Sequence, residues 1–182
     1  MPEEILQTRR IYDGRVVNLR VDQVLLPSGV EAAREIIEHP GAVAIVPILE
    51  GERVVLVRQY RSAVAEDLLE IPAGTLKKGE DPLKCAKREL IEETNYSAGK
   101  IEQFMFSWVA PGYSSEAMYY FLACDLEPCQ GTQDEDEDVS VQVVSLTDVW
   151  EMIQDGRIRD TKTIAGLLSA QNILEKRGHE AV

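Results

Sequence analysis

The chain has 182 residues, 45% of them hydrophobic and 28% charged, which is enough to bury one substantial core or a main domain with a small appendage. Its 32 acidic residues against 19 basic ones leave a net charge of -13, which argues against a nucleic-acid backbone or an anionic membrane as partner. No signal-peptide pattern and no bilayer-length apolar run is seen, and Cys85, Cys124 and Cys129 form no CxxC pair, so the expectation is a cytoplasmic protein with reduced thiols.

From Met1 to about His39 the pattern alternates, predicting short strands at Arg15 to Val21 and Gln23 to Leu26, a Pro27-Ser28-Gly29 turn, and a third strand from Glu31 to Glu38. The apolar residues of this small antiparallel unit are too few for a core of its own, so it is expected to pack on the rest of the chain or on a second subunit. Pro40-Gly41 marks the boundary, giving an expected division into residues 1–40 and 41–182. Ala42 to Leu49 is almost continuously apolar, as a strand buried on both faces would be. Glu50-Gly51-Glu52 reads as a hairpin turn into a strand from Arg53 to Tyr60, and Leu68 to Pro72 leads into a loop at Ala73-Gly74.

A helix follows. Asp81 reads as its N-cap, Pro82 as its first residue and Thr94-Asn95 as its stop, with Leu83, Ala86 and Leu90 as the buried stripe. After it come strands at Ile101 to Val109 and Met118 to Cys124, joined by a loop from Ala110 to Glu116, then the acidic run Asp134-Glu135-Asp136-Glu137-Asp138. A strand from Val139 to Leu146, a short helix from Thr147 to Asp155 and a longer one from Lys162 to Arg177 complete the chain. The last helix presents Ile164, Leu167, Leu168, Ile173 and Leu174 inward, and Trp108 and Trp150 read as core residues more than as stacking platforms, with Trp108, close to the loop at Pro111, the candidate for the latter. Strands interleaved with helices predict an α/β fold, a mixed sheet covered on both sides.

Glu89, Glu92 and Glu93 fall at i, i+3 and i+4 of the first helix, which puts three carboxylates on one face. Like charges at this spacing cost about 0.2–0.5 kcal/mol each and gain nothing from packing. A divalent cation would offset that cost, and oxygen-only ligands suit Mg2+ or Mn2+ held together with substrate phosphates. A solvated acidic face paired with Lys84, Lys87 and Arg88 is the alternative. No GxGxxG or GxxxxGK[ST] occurs, and only His39 and His179 could serve a histidine-based triad.

The spacing Gly74, five residues, Glu80, seven residues, then Arg88-Glu89-Leu90-x-Glu92-Glu93 resembles the signature of the Nudix hydrolases, pyrophosphatases of nucleoside diphosphates linked to another group. One position departs from it: the family's glycine after the helix is Asn95, the next-best residue for a left-handed helix end. Pro111, sixteen positions after Asn95, resembles the ADP-ribose pyrophosphatase branch.

The resemblance implies an α/β/α sandwich with a small N-terminal antiparallel β unit that serves dimerisation and adenine binding. It also implies Mg2+- or Mn2+-dependent hydrolysis of ADP-ribose to AMP and ribose 5-phosphate by a homodimer. It nominates Glu89, Glu92, Glu93 and the backbone carbonyl of Ala73 as ligands for two or three ions, with Glu80 at a distance or bracing Arg88. Arg15, Val16 and Glu35 would hold adenine, Arg61 the diphosphate, and Gly112 and Glu116 the terminal ribose. Glu137, with Glu135 second, would act as general base. Arg58 is read as structural. Another nucleoside diphosphate sugar as substrate, or a non-catalytic ADP-ribose-binding regulator, are the rival readings.

Overall fold

The computed structural model describes residues 2–131 and 139–180, with side chains through Arg177. Glu135, Glu137 and the rest of the acidic run lie outside the described residues. The chain divides into two compact units, one of residues 1–41 with 107–118 and the other of residues 42–106 with 119–182.

In the first unit, β1 (Glu4–Asp13), β2 (Asn18–Leu25) and β3 (Glu31–Glu38) form an antiparallel sheet in that order. The expected strands at Arg15 to Val21 and Gln23 to Leu26 are corrected to a single β2, with β1 upstream of it. β1 escapes a period-2 reading for two physical reasons. Register shifts between Ile5 and Gln7 and between Arg10 and Tyr12 break the alternation, and all ten of its residues are exposed. Arg15 and Val16 instead sit in the β1–β2 turn, which the Gly14 N–H closes on the Val17 carbonyl at 3.0 Å. The Pro27-Ser28-Gly29 turn forms as expected, with Gly29 at φ 81°.

The second unit is built on a seven-stranded sheet. It comprises β4 (Ala42–Leu49), β5 (Arg53–Arg61), β6 (Glu66–Glu70), β7 (Ala73–Thr75), β8 (Tyr96–Trp108), β9 (Ala117–Pro128) and β10 (Val139–Ser145). Its order is β10-β5-β4-β9-β8, with β6 on β5 and β7 on β4. The helices are α1 (Pro82–Thr94), α2 (Val149–Gln154), preceded by a 3-10 turn, and α3 (Thr161–Glu180). Ala42 to Val46 are buried without a break because both faces of β4 are covered. Val43 and Ile45 pack with Cys85, Ala86 and Leu90 of α1. On the other face, Gly166 lets α3 approach so closely that a Cβ there would lie 2.8 Å from Ile71 and 3.4 Å from Val46. Helices on both faces of the sheet give the expected sandwich.

Four details differ from the sequence reading. Ala73 to Thr75 is a strand paired with Ala42 to Ala44, not a loop. Leu83 is 38% exposed, and Cys85 takes its place in the buried stripe of α1. On α3 Leu167 is fully buried as expected, but Thr163, Gly166 and Ala170 complete the buried side, because Gly166 draws it onto the sheet, while Ile164, Leu168, Ile173 and Leu174 are half-buried. Trp108 and Trp150 are 54% and 55% exposed and so are not core residues.

Candidate active site

The first turn of α1 is set locally. Asp81 Oδ1 accepts from the N–H groups of Leu83 and Lys84 at 2.9 and 3.1 Å, and Pro82 occupies the first helical position, where no N–H is needed. The helix ends at Asn95, in the left-handed region at φ 58° and ψ 32°, with its N–H on the Ile91 carbonyl. Between these caps the acidic face is fixed in rotation.

Arg88 is the internal counter-ion of that face. Its Nη1 donates to Glu89 Oε1 at 2.7 Å and to Glu92 Oε2 at 2.9 Å, and its Nε and Nη2 reach Glu80 at 3.3 Å. Burial disfavours the guanidinium charge, but Glu80, Glu89 and Glu92 outweigh it and the pKa of Arg88 is raised. Glu80 thus braces Arg88. Its own pKa is lowered, first by the N–H of Lys77 and then by Arg88. Cys85 Sγ lies 3.3 Å from Arg88 Nη2, and burial beside Glu89 pushes its thiol up to about 12, so it packs as a neutral group.

Glu89 and Glu93 are turned onto the backbone of β7. Glu93 is 3% exposed and its Oε2 accepts from the Ala73 N–H at 3.1 Å. The Glu89 carboxyl occupies the space over Gly74, where a Cβ would fall 1.9 Å from its Cδ and 2.0 Å from its Oε1. That contact explains why Gly74 must be glycine. Two carboxylates therefore meet the strand that carries the Ala73 carbonyl, while Glu92 stays half-buried beside Arg88.

An all-oxygen set of this kind fits Mg2+ or Mn2+, which are held by a few carboxylates completed by water and substrate phosphates. Among the described residues no group of three or more His, Cys, Asp or Glu side chains is already placed to hold a metal ion. Gly74→Ala is expected to displace the Glu89 carboxylate, lowering kcat about 10- to 100-fold, as loss of ligand orientation does. The stability cost should be only about 1–3 kcal/mol, typical of overpacking. Steady-state kinetics and a melting curve check this, and unimpaired turnover would contradict the contact.

Arg61 ends β5. Its Nε and Nη2 donate to Glu70 at 2.7 and 2.6 Å, and its pKa is raised, first by Glu70, with Glu93 among the further contributors. Arg58, exposed on β5, donates to Gln142 at 3.1 Å. Glu70 and Lys162 are the residues that sequence reasoning missed. Glu70 is 1% exposed and takes a second ion pair from Lys162 Nζ. Asp160 Oδ2 accepts from Lys162 Nζ at 3.0 Å and from the N–H and hydroxyl of Thr163 at 2.9 and 2.6 Å. Thr163 Oγ1 in turn accepts from the Ile71 N–H at 2.9 Å. The one available signal was a lone glutamate in the apolar run Leu68-Leu69-Glu70-Ile71-Pro72.

The remaining nominated residues belong to the first unit. Asn18 pairs with Glu38, so the turn bearing Arg15 and Val16 lies at the end of the sheet where β3 finishes. The Pro111 loop is bound there too, with the Ile37 N–H on the Tyr113 carbonyl at 2.8 Å and the Ser115 N–H on the Ile37 carbonyl at 3.0 Å. Arg15, Val16, Gly112 and Glu116 therefore share one end of this unit. Val16 is 65% exposed, and Glu35 is exposed further along β3, opposite Val21.

A sheet sandwiched by helices, with an arginine-braced acidic helix set against a strand-borne glycine, defines an α/β protein of the Nudix class. The chain belongs to that family: the NUDIX domain matches residues 38–167. Pyrophosphatases of this family generally use divalent metal ions. The chain is 40% identical over 164 residues to a methanol dehydrogenase activator of Bacillus methanolicus, covering 89% of each chain. It is 37% identical over 165 residues to an ADP-ribose pyrophosphatase of Bacillus subtilis (strain 168), covering 90% of this chain and 89% of the relative. A solved structure described as an ADP compounds hydrolase shares the fold, with a TM-score of 0.88 over 98% of this chain and 97% of that one, at 24% identity.

Proposed function

We propose that the chain is an ADP-ribose pyrophosphatase, a divalent-metal-dependent hydrolase that splits ADP-ribose into AMP and ribose 5-phosphate. The observation that carries this reading is an intact set of helix glutamates, braced by Arg88 and seated on Ala73-Gly74, in a chain 37% identical to an ADP-ribose pyrophosphatase.

Glu89, Glu92, Glu93 and the Ala73 carbonyl would hold Mg2+ or Mn2+, two or three ions in all. Bound there, the metal supplies neutralisation of the charge developing on the leaving phosphate and a lowered pKa for the attacking water. Arg88 keeps Glu89 and Glu92 oriented and stops their mutual repulsion from splaying the site. Arg61 would meet the diphosphate with the part of its fork that Glu70 does not occupy. Arg15 and Val16 would cover the adenine ring, Glu35 would accept from its amino group, and Gly112 and Glu116 would border the terminal ribose. Glu137, with Glu135 second, takes the proton of the attacking water. The working form in this reading is a cytoplasmic homodimer with no nucleic-acid or membrane partner; among the described residues no helix is long and apolar enough to cross a membrane.

The test is hydrolysis of ADP-ribose with Mg2+ beside other nucleoside diphosphate sugars, dinucleotides and nucleoside triphosphates, with the products identified. ADP-ribose is expected to turn over fastest, giving AMP and ribose 5-phosphate, and a chelator should abolish the reaction. Preference for another panel member would keep the metal helix and discard the adenine and ribose assignments. The activator relative favours one second reading, in which the chain regulates a partner enzyme. Binding of ADP-ribose without turnover of any panel member would put that reading first.

A further inference from the structure

The chain changes neighbours between Glu70 and Ala73. β6 pairs with β5 and β7 with β4, so Ile71-Pro72 is the two-residue crossing that delivers Ala73 to the metal helix. Its backbone can be accounted for group by group. Proline has no N–H, and the Pro72 carbonyl accepts from the Ile45 N–H at 2.8 Å. That leaves the Ile71 N–H as the one backbone donor of the crossing. Its acceptor is a side chain and not a strand carbonyl: Thr163 Oγ1 at 2.9 Å, from the first turn of α3, 92 positions on. Both residues are fully buried, so no bulk water can stand in for either of them. The direction of this bond is set from behind. The Thr163 hydroxyl has one proton and donates it to Asp160 Oδ2 at 2.6 Å, which leaves its lone pairs for Ile71. Asp160 also accepts from the Thr163 N–H at 2.9 Å, so one carboxylate both caps the start of α3 and orients the hydroxyl. Two residues beyond Ile71, the Ala73 N–H meets Glu93 Oε2 at 3.1 Å.

We propose that Thr163 is a positioning residue whose hydroxyl, through Ile71, sets where β7 presents the Ala73 carbonyl and N–H to the metal helix. The metal consequence rests on the function proposed above. β7 has only three residues paired with β4, so a crossing released at Ile71 lets Ala73 drift from the place where its carbonyl and Glu93 would share an ion. Serine at position 163 would keep the hydroxyl and both of its bonds. Valine would keep the shape but lose the hydroxyl, leaving the Ile71 N–H buried without an acceptor.

The experiment compares full-length wild type with Thr163→Val, Thr163→Ser and Glu93→Gln, folding being checked by circular dichroism. Ile71 amide exchange is followed without metal or substrate, and Mn2+ affinity is measured on the protein alone by the electron spin resonance of free Mn2+. In Thr163→Val the Ile71 amide is expected to exchange about five-fold faster or more, the effect of losing one hydrogen bond. Its Mn2+ dissociation constant should rise about ten-fold, as for loss of an orienting partner behind a metal ligand, and hydrolysis of the fastest panel substrate should need correspondingly more Mn2+. Thr163→Ser should restore both. Should Thr163→Val fail to fold, Thr163→Cys, with a weak acceptor at the same place, replaces it. Unchanged Ile71 exchange would overturn the role, as would faster exchange with wild-type Mn2+ affinity beside a weakened Glu93→Gln, which would leave Thr163 as a packing contact of α3. A loss that Thr163→Ser shares in full would overturn it too. Wild-type Mn2+ affinity in Glu93→Gln would instead defeat the metal reading, and the role toward the Ala73 carbonyl would fall with it.

Discussion

Glu93→Gln is expected to lower kcat on the order of a thousand-fold, about 4 kcal/mol of lost transition-state stabilisation, while leaving the melting temperature near that of the wild type. The two halves of this expectation come from different atoms. Glutamine keeps the shape of glutamate and an oxygen that can still accept the Ala73 N–H, so the bond that seats Glu93 on β7 survives. What it loses is the negative charge, and at 3% exposure no nearby water can replace that charge for a bound cation. The kcat effect should not be rescued by raising ADP-ribose, and only weakly by raising Mg2+. Steady-state kinetics across a Mg2+ titration, with circular dichroism as the control for folding, decide it. Full activity in this variant would remove α1 from the chemistry altogether.

The legibility of this chain follows the range over which each signal acts. α1 could be bounded to the residue because its determinants are local: Asp81 and Pro82 at the start, and Asn95 taking the left-handed turn at the end. β4 was equally plain, since burial on both faces leaves an unbroken apolar run. A mixed sheet covered on both sides followed from such elements in alternation, and the resemblance implied the α/β/α sandwich. β1 was hidden because two register shifts scramble its period and no face of it is buried. Of the residues expected inward on α3 only Leu167 is fully buried, because a glycine, not a large side chain, makes the closest approach to the sheet. Within the site, the acidic cluster was readable from spacing alone, but its bracing was only partly so. Glu80 lies eight residues from Arg88 and the resemblance placed it either at a distance from the site or as a brace, whereas Lys162 reaches Glu70 across 92 residues, a distance over which sequence pattern carries no information.

That long-range pair carries the largest stability effect expected in the molecule. Glu70→Ala should destabilise the protein by about 3–5 kcal/mol, the usual cost of removing one partner from a buried ion pair, because it strands Lys162 and Arg61 together without their shared carboxylate. For a chain of this size the melting temperature should drop by about 6–20 °C. The effect should depend on pH in one direction. Burial alone would raise the Glu70 pKa, but the hydrogen bond from Arg61 and the charge of Lys162 outweigh it and hold the pKa below its ordinary 4.5. A carboxylate depressed in the folded state stabilises fully above its unfolded pKa, and that stabilisation is lost as pH falls through the folded value. The stability gap between wild type and Glu70→Ala should therefore be full at neutral pH and narrow progressively below about pH 4. Denaturant titrations at neutral and acid pH measure it directly. Because Glu70 also aims the Arg61 fork, the same variant is expected to raise KM for ADP-ribose more than it lowers kcat. Lys162→Met, which leaves the Arg61 contact in place, should share the stability loss and spare KM. Equal KM effects in both variants would mean that Glu70 anchors the strand leading to Ala73-Gly74 and has no separate hold on the substrate.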